Sequence, residues 1–303
     1  MAIDTSGPAR PGRLSHCGHC WGVPASVLAV GGARSYLSAV AATGPAYLRS
    51  PPEPIFNVPP VVTASLALFG FIHLIRTFLL SPEADIKFLL LFSFIPARYE
   101  ASPLIDGTLP GGVAADLWTF VTYSLIHGDI THLSLNAVWL LAFGTPVARR
   151  FGTMRFLGFF GLTAAAGALA HWATHASDGV GMIGASAAIS GFMAGAVRFV
   201  FQRGGPLSWW RRHDESAYRV RALSLSESLR DPRVVAFLAV WFGLNLLFGI
   251  SSFSFASSGQ VIAWQAHIGG FLAGLVAFGR FDPVQRPASG SIDPDSDADP
   301  ATG

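Results

Sequence analysis

Six stretches of the chain carry apolar residues almost without interruption: 61–80, 129–145, 154–174, 186–201, 234–250 and 261–278. Such runs predict membrane-spanning helices, because about 20 apolar residues cross the hydrocarbon core and a helix satisfies its own backbone there. Several are shorter than a full span, which predicts helices that begin inside the membrane beneath loops or water-filled space. The connections alternate in charge. Arg149, Arg150 and Arg155 follow the second run; Arg203, Arg211, Arg212, Arg219, Arg221, Arg230 and Arg233 follow the fourth; Arg280 and Arg286 follow the sixth. The other connections are poorer in arginine: 81–116 sets Lys87 and Arg98 against acidic residues, Asp178 is the single charge between the third and fourth runs, and 250–260 carries none. Cytoplasmic loops hold the excess of Lys and Arg, so this alternation predicts an all-α membrane protein, a six-transmembrane-helix bundle with its N- and C-termini cytoplasmic.

Composition agrees with the pattern. Of 303 residues, 51% are apolar and only 13% charged, a balance that soluble domains of this length rarely show. The formal net charge of +2 gives no argument for nucleic acid, and the basic stretch 203–233 reads first as a topology determinant that can also rest on anionic headgroups of the lipid bilayer. Residues 1–54, rich in Gly, Pro, Ala and Arg, are expected to be a mobile N-terminal cytoplasmic tail; 55–283 form the helical core; 284–303 form a disordered acidic C-terminal tail. Within the first tail, Cys17-Gly18-His19-Cys20 supplies half of a four-ligand framework, so a reduced thiol pair is the simpler reading, and no metal or cofactor is expected. Nothing in the chain specifies an oligomeric state.

Against this apolar background three polar signatures stand out: His132 with Asn136, Gly184-Ala185-Ser186, and Ala266-His267-Ile268-Gly269-Gly270. Polar and ionisable groups inside a bilayer are costly and point to function. The predicted topology runs the second, fourth and sixth helices in one direction, with His132 in a first turn, Ser186 at a helix start and His267 two turns down, about 9 Å at the helical rise. All three then arrive at one depth near the outer face. A serine hydroxyl becomes a nucleophile when a nearby base accepts its proton, and histidine is the usual base. Ser186 is therefore the nucleophile candidate and His267 the base. His132 and Asn136, spaced i and i+4, share a helical face and can both address a developing oxyanion, joined by the unpaired N–H groups opening the fourth helix at Ser186.

Small residues support the same meeting. Ala187, Gly191 and Gly195 form a stripe on the fourth helix, with Gly184 just ahead of it, and Gly270 and Gly274 form a Gly-x-x-x-Gly on the sixth, so these backbones can approach closely. No aspartate or glutamate lies near these positions in the apolar runs, so the pairing predicted is a Ser-His dyad without the third member of a triad.

The sequences His127-Gly-Asp-Ile-Thr-His132-Leu-Ser-Leu-Asn136, Gly184-Ala185-Ser186 and Ala266-His267-Ile268-Gly269-Gly270-Phe271-Leu272-Ala273-Gly274 resemble those of rhomboid intramembrane serine proteases of the bacterial six-helix type, over roughly residues 54–283. The resemblance implies a catalytic dyad of Ser186 and His267, an oxyanion hole that includes His132 and Asn136, and cleavage of the transmembrane segments of other proteins near the outer, periplasmic face of the cell's inner membrane. The chain departs from that pattern at three points. Ala187 follows the serine where glycine is usual, Ser190 stands where an aromatic residue commonly packs on the histidine, and Trp118-Thr119 replaces a Trp-Arg pair. With Ser190, His267 must be oriented some other way.

Other polar groups have simpler explanations. His171 and His175, at i and i+4, lack an acidic or cysteine partner for a metal and read as interface histidines. His73 and Arg76 in the first run read as structural, Arg76 by snorkelling. Two rival functions remain: a catalytically weak or inactive rhomboid-like protein that binds transmembrane clients, and a small transporter. A transporter's polar path would continue toward the inner side, where these runs are largely apolar. The loops 81–116 and 253–260 are expected to insert into the membrane face and gate the site.

Overall fold

The computed structural model describes residues 57–100, 109–207, 215–250 and 263–284, with backbone alone at 248–250. The expected N-terminal tail with Cys17 and Cys20, most of the C-terminal tail and the 253–260 loop lie outside the described residues, as do 101–108 of the first long loop. The helices are α1 (Pro60–Phe78), α2 (Pro82–Phe92), α3 (Gly112–Thr122), α4 (Ile130–Trp139), α5 (Thr145–Phe151), α6 (Thr153–Thr174), α7 (Ser186–Ala196), α8 (Leu225–Ser228), α9 (Pro232–Ile250) and α10 (Trp264–Phe281). Among the described residues there is no strand, only one antiparallel bridge between Phe94 and Met182. The protein is an all-α membrane protein. Among the described residues, three helical segments are long and apolar enough to cross a bilayer: α1, the continuous Ile130–Phe151, and α6.

The Ile130–Phe151 segment is not one regular helix. Pro146 has no N–H to return to the carbonyl four residues earlier, and Leu140–Gly144 between α4 and α5 widens into π-helix. The segment is longer than the 129–145 run suggested because polar Arg149 and Arg150 extend its last turns. In contrast, α7 stops at Ala196 although the apolar run continues to Phe201. Its 11 residues span about 16 Å, half the thickness of a hydrocarbon core of about 30 Å.

This short helix is the centre of the helical core. Every residue from Ala187 to Ala196 is buried, and α6 and α10 flank it with almost no side chain in between. A Cβ at Gly270 would collide with the Ala187 carbonyl, one at Gly274 would lie 2.6 Å from Gly191 Cα, and one at Gly167 would meet the Ala187 methyl and come within 2.9 Å of the Ala266 carbonyl. The glycines thus set the spacing of α6, α7 and α10 by backbone contact, as small-residue packing in membranes requires. Ala187 fills its place against Gly167 without separating the helices.

Aromatic packing closes the far end of this core. Phe156 stacks on Phe192 with centroids 4.4 Å apart, and Phe159 and Phe281 meet edge to face at 5.2 Å. Arg150 is fully buried there: its guanidinium grips Asp282 with two bonds of 2.8 and 2.9 Å, donates 2.8 Å bonds to the Tyr218 and Val220 carbonyls, and lies over the Phe199 and Phe278 rings. Arg149 pairs with Glu215, and Arg198 donates to the Leu223 carbonyl at 2.6 Å. Arg149 and Arg150, read from the sequence only as topology charges, are therefore also tertiary ties.

Candidate active site

Ser186 reaches its position through the loop that precedes α7. Phe94 and Met182 exchange backbone hydrogen bonds of 3.1 and 2.8 Å, Ala97 N–H donates to the Asp178 carbonyl, and Gly184 N–H donates to the Tyr123 carbonyl at 3.0 Å. Tyr123 is itself buried and fixed to α6 by its hydroxyl, which donates to the Ala164 carbonyl at 2.9 Å. Gly184 has φ +118, a left-handed conformation that glycine alone adopts without strain. Its missing side chain is also required by space: a Cβ there would lie 2.6 Å from His132 Nε2 and 3.8 Å from Ser186 Oγ. The His132 ring and the Ser186 hydroxyl therefore face the same glycine.

His132 is set by the start of α4. Asp129 caps that helix by accepting from the His132 N–H at 2.9 Å, which places His132 in the first turn. Asn136, one turn later and buried, donates its amide to the His132 carbonyl at 2.9 Å. An amide carries two N–H groups, so this bond occupies one of them. At α7, helical bonding begins when Ile189 N–H donates to the Ala185 carbonyl, so the N–H groups of Ser186, Ala187 and Ala188 sit ahead of the first full turn.

His267 closes the arrangement. Its Nε2 and Ser186 Oγ are 2.7 Å apart, and both side chains are only half buried. The helix that carries it begins at Trp264 rather than at 261, so His267 lies within the first turn of α10 and not two turns down. The meeting with Ser186 follows because α7 and α10 touch backbone to backbone at Ala187 and Gly270, one residue beyond Ser186 and three beyond His267.

Sequence reasoning overlooked one residue of this cluster. Asn245, on α9, holds its Oδ1 2.7 Å from His267 Nδ1, while its Nδ2 donates to the Trp241 carbonyl at 2.8 Å. A third group does stand behind the histidine, then, as a neutral amide and not an acid. The only signal available was a lone polar residue in the apolar run 234–250. Ser190 makes no contact of that kind: its hydroxyl donates to the Ser186 carbonyl at 2.7 Å.

The other polar residues singled out have structural partners. Arg76 forms a two-bond ion pair with Asp85 (2.7 and 3.0 Å) and donates to the His127 carbonyl at 3.0 Å, with His73 Nδ1 3.3 Å from the same carbonyl. Arg76 is thus paired rather than snorkelling, and it steadies the turn that leads into α4. The 81–116 connection is tied by Arg98, which donates to the Leu90 and Pro110 carbonyls, and by Trp118, which donates to the Leu91 carbonyl. Thr119 is buried and bonded to Tyr99 at 2.8 Å. The His171 and His175 rings stack at 4.9 Å, and His175 Nδ1 lies 2.8 Å from the Thr174 hydroxyl.

Known proteins match this region. Residues 114–280, more than half of the chain, match the family model described as the Rhomboid domain. The chain is similar to "Rhomboid-like protease 3" of Toxoplasma gondii, 30% identical over 164 residues that cover 52% of this chain and 49% of the relative. It is also similar to "RHOMBOID-like protein 4" of Arabidopsis thaliana, 26% identical over 159 residues that cover 52% of this chain and 32% of the relative. The chain thus spans half or less of these curated relatives.

Proposed function

We propose, from the premise that this chain belongs to the rhomboid family, that it is an intramembrane serine endopeptidase acting on transmembrane segments of other membrane proteins. The observation that carries this reading is the 2.7 Å separation of Ser186 Oγ and His267 Nε2, hydrogen-bond reach between a nucleophile and its base. Membership of the family supports it, and the printed name of the Toxoplasma gondii relative, a protease, agrees.

The chemistry runs through this chain's own groups. Ser186 Oγ attacks the scissile carbonyl while His267 Nε2 takes the hydroxyl proton and then delivers it to the leaving amine. The oxyanion is taken up by His132, Asn136 and the N–H groups opening α7, donors of the kind that usually stabilise such a charge. Water then hydrolyses the acyl-enzyme with His267 acting again as base.

The same reading sets six spans within 55–283 as the protease core, both termini and the tails 1–54 and 284–303 in the cytoplasm, and the site near the outer face of the cell's inner membrane. A helix as short as α7 beginning at Ser186 sinks the nucleophile below the membrane surface, where an unwound transmembrane segment can meet it.

Labelling of the purified, detergent-solubilised protein with a fluorophosphonate serine-hydrolase probe tests the reading. Wild type should label, and Ser186→Ala and His267→Ala should not. If wild type fails to label beside an active rhomboid, the protease reading falls and a client-binding role takes its place.

A further inference from the structure

We infer that Asn245 is a positioning residue that fixes the tautomer of His267, so that α9 supplies the third member of a Ser-His-Asn relay. The inference rests on the protease reading for its purpose but not for its geometry. The Trp241 carbonyl can only accept a hydrogen bond, so the amide edge facing it at 2.8 Å must be the NH2 of Asn245. The other edge, Oδ1, therefore faces His267 Nδ1 at 2.7 Å. An amide oxygen can only accept, so Nδ1 carries the proton. In the neutral ring that leaves a lone pair on Nε2, aimed at the Ser186 hydroxyl 2.7 Å away.

Each link of this chain constrains the next in a single direction. When Ser186 Oγ–H breaks and Nε2–H forms, the ring becomes cationic, and the Asn245 Oδ1 dipole faces its second N–H. The amide cannot take that proton, which stays on Nδ1 throughout, and the ring returns to neutral when Nε2 passes its own proton to the leaving amine. A neutral acceptor also suits its location. A carboxylate in a membrane helix is costly, and an amide provides the same acceptor without the charge.

The placement is held by packing as well as by hydrogen bonds. One turn before Asn245, Trp241 stacks on Phe271, one turn after His267, with centroids 4.8 Å apart at 26°; Phe242 meets the same ring edge-on at 5.5 Å. The aromatic joint sets the distance between α9 and α10 at the level of the polar pair. Toward its start α9 is also held by buried Val234 and by the Phe237 ring against Phe143 and Phe201, while Val240, Leu244, Leu246 and Leu247 are exposed, so the Trp241 joint is the aromatic contact nearest the polar pair.

Histidine side-chain ¹⁵N spectra of the detergent-solubilised full-length protein, with His267 assigned through His267→Ala, read the tautomer without any need for catalysis. Wild type should show His267 protonated at Nδ1, Asn245→Leu should lose that preference, and Asn245→Asp should keep it, since either ionisation state of the carboxyl leaves an acceptor at Nδ1. In parallel, fluorophosphonate inactivation of Asn245→Leu should slow about 10- to 100-fold in the limiting rate and not in probe affinity, with Asn245→Asp recovering most of the loss. Melting temperatures close to wild type identify both variants as folded. An unchanged tautomer or an unchanged inactivation rate in Asn245→Leu overturns the inference. Wild type that shows the expected tautomer but never reacts with the probe overturns the protease reading instead.

Discussion

The two ends of the α6–α7–α10 core are built by opposite means. At the end that carries Ser186, the groups are neutral and each is held by one or two hydrogen bonds: Ser186 to His267, His267 to Asn245, Asn136 to the His132 carbonyl. At the other end a single guanidinium, Arg150, is fully buried between a carboxylate, two carbonyls and two aromatic faces. A buried charge that loses its partner is costly enough to lock a structure, whereas the groups of a reaction centre must change their protonation without breaking the fold. Within the α6–α7–α10 core the buried charge therefore lies one helix length away from Ser186, with the rigid glycine contacts of α7 and α10 between them, while the ion pair nearest the candidate site, Arg76 with Asp85, lies outside that core.

Substitutions at the two ends should therefore fail in different currencies. The largest effect belongs to Ser186→Ala and His267→Ala, which should lower reactivity toward a serine-directed probe by on the order of 10⁴-fold or more while leaving the melting temperature near that of wild type. A matching loss of stability would erase the contrast. Next is Arg150→Ala, expected to cost about 3–5 kcal/mol by stranding Asp282 and two carbonyls; thermal unfolding in detergent measures it. Folded protein that survives should still label at Ser186, and loss of labelling at intact stability would show the far end to be part of the chemistry.

Smaller perturbations sharpen the boundary between the ends. Asn136→Ala should reduce the turnover of a transmembrane substrate by about 10²–10³-fold if it is an oxyanion donor, read as a loss in kcat rather than in KM. Gly270→Ala forces a methyl into the Ala187 carbonyl and should cost about 1–3 kcal/mol, with activity lost at the same time because α7 and α10 are spread apart. Ser190→Ala, which removes only the bond to the Ser186 carbonyl, should change stability by about 1 kcal/mol and leave the probe reaction within a few-fold of wild type.

Much of this arrangement was legible in the residue order. Apolar runs locate α1, α6 and α9 to within two residues because a helix in lipid satisfies its backbone only internally, so hydropathy and secondary structure coincide there. Ser186 opens α7 and His132 stands in the first turn of α4, as the runs suggested. Element ends were less legible where a specific contact overrides hydropathy. Pro146 converts part of the second segment to π-helix, and α10 begins at Trp264, which puts His267 in its first turn.

Asn245 marks the boundary between the two kinds of information. A catalytic serine or histidine announces itself by residue type, and small-residue spacing announces a close helix contact, because both depend on local chemistry that any helix would display. An asparagine in an apolar helix announces only that it needs a partner. Which partner it finds depends on the antiparallel register of α9 and α10, set by the Trp241–Phe271 stack, and the same is true of Arg150, a topology charge by sequence and the keystone of the far end by packing. The sequence by itself determined the family, the helical membrane class and the two residues whose chemistry is distinctive. Only the tertiary structure decided what orients the histidine and what anchors the core, because hydrogen bonds between residues 22 or 132 positions apart leave no periodic trace along the chain.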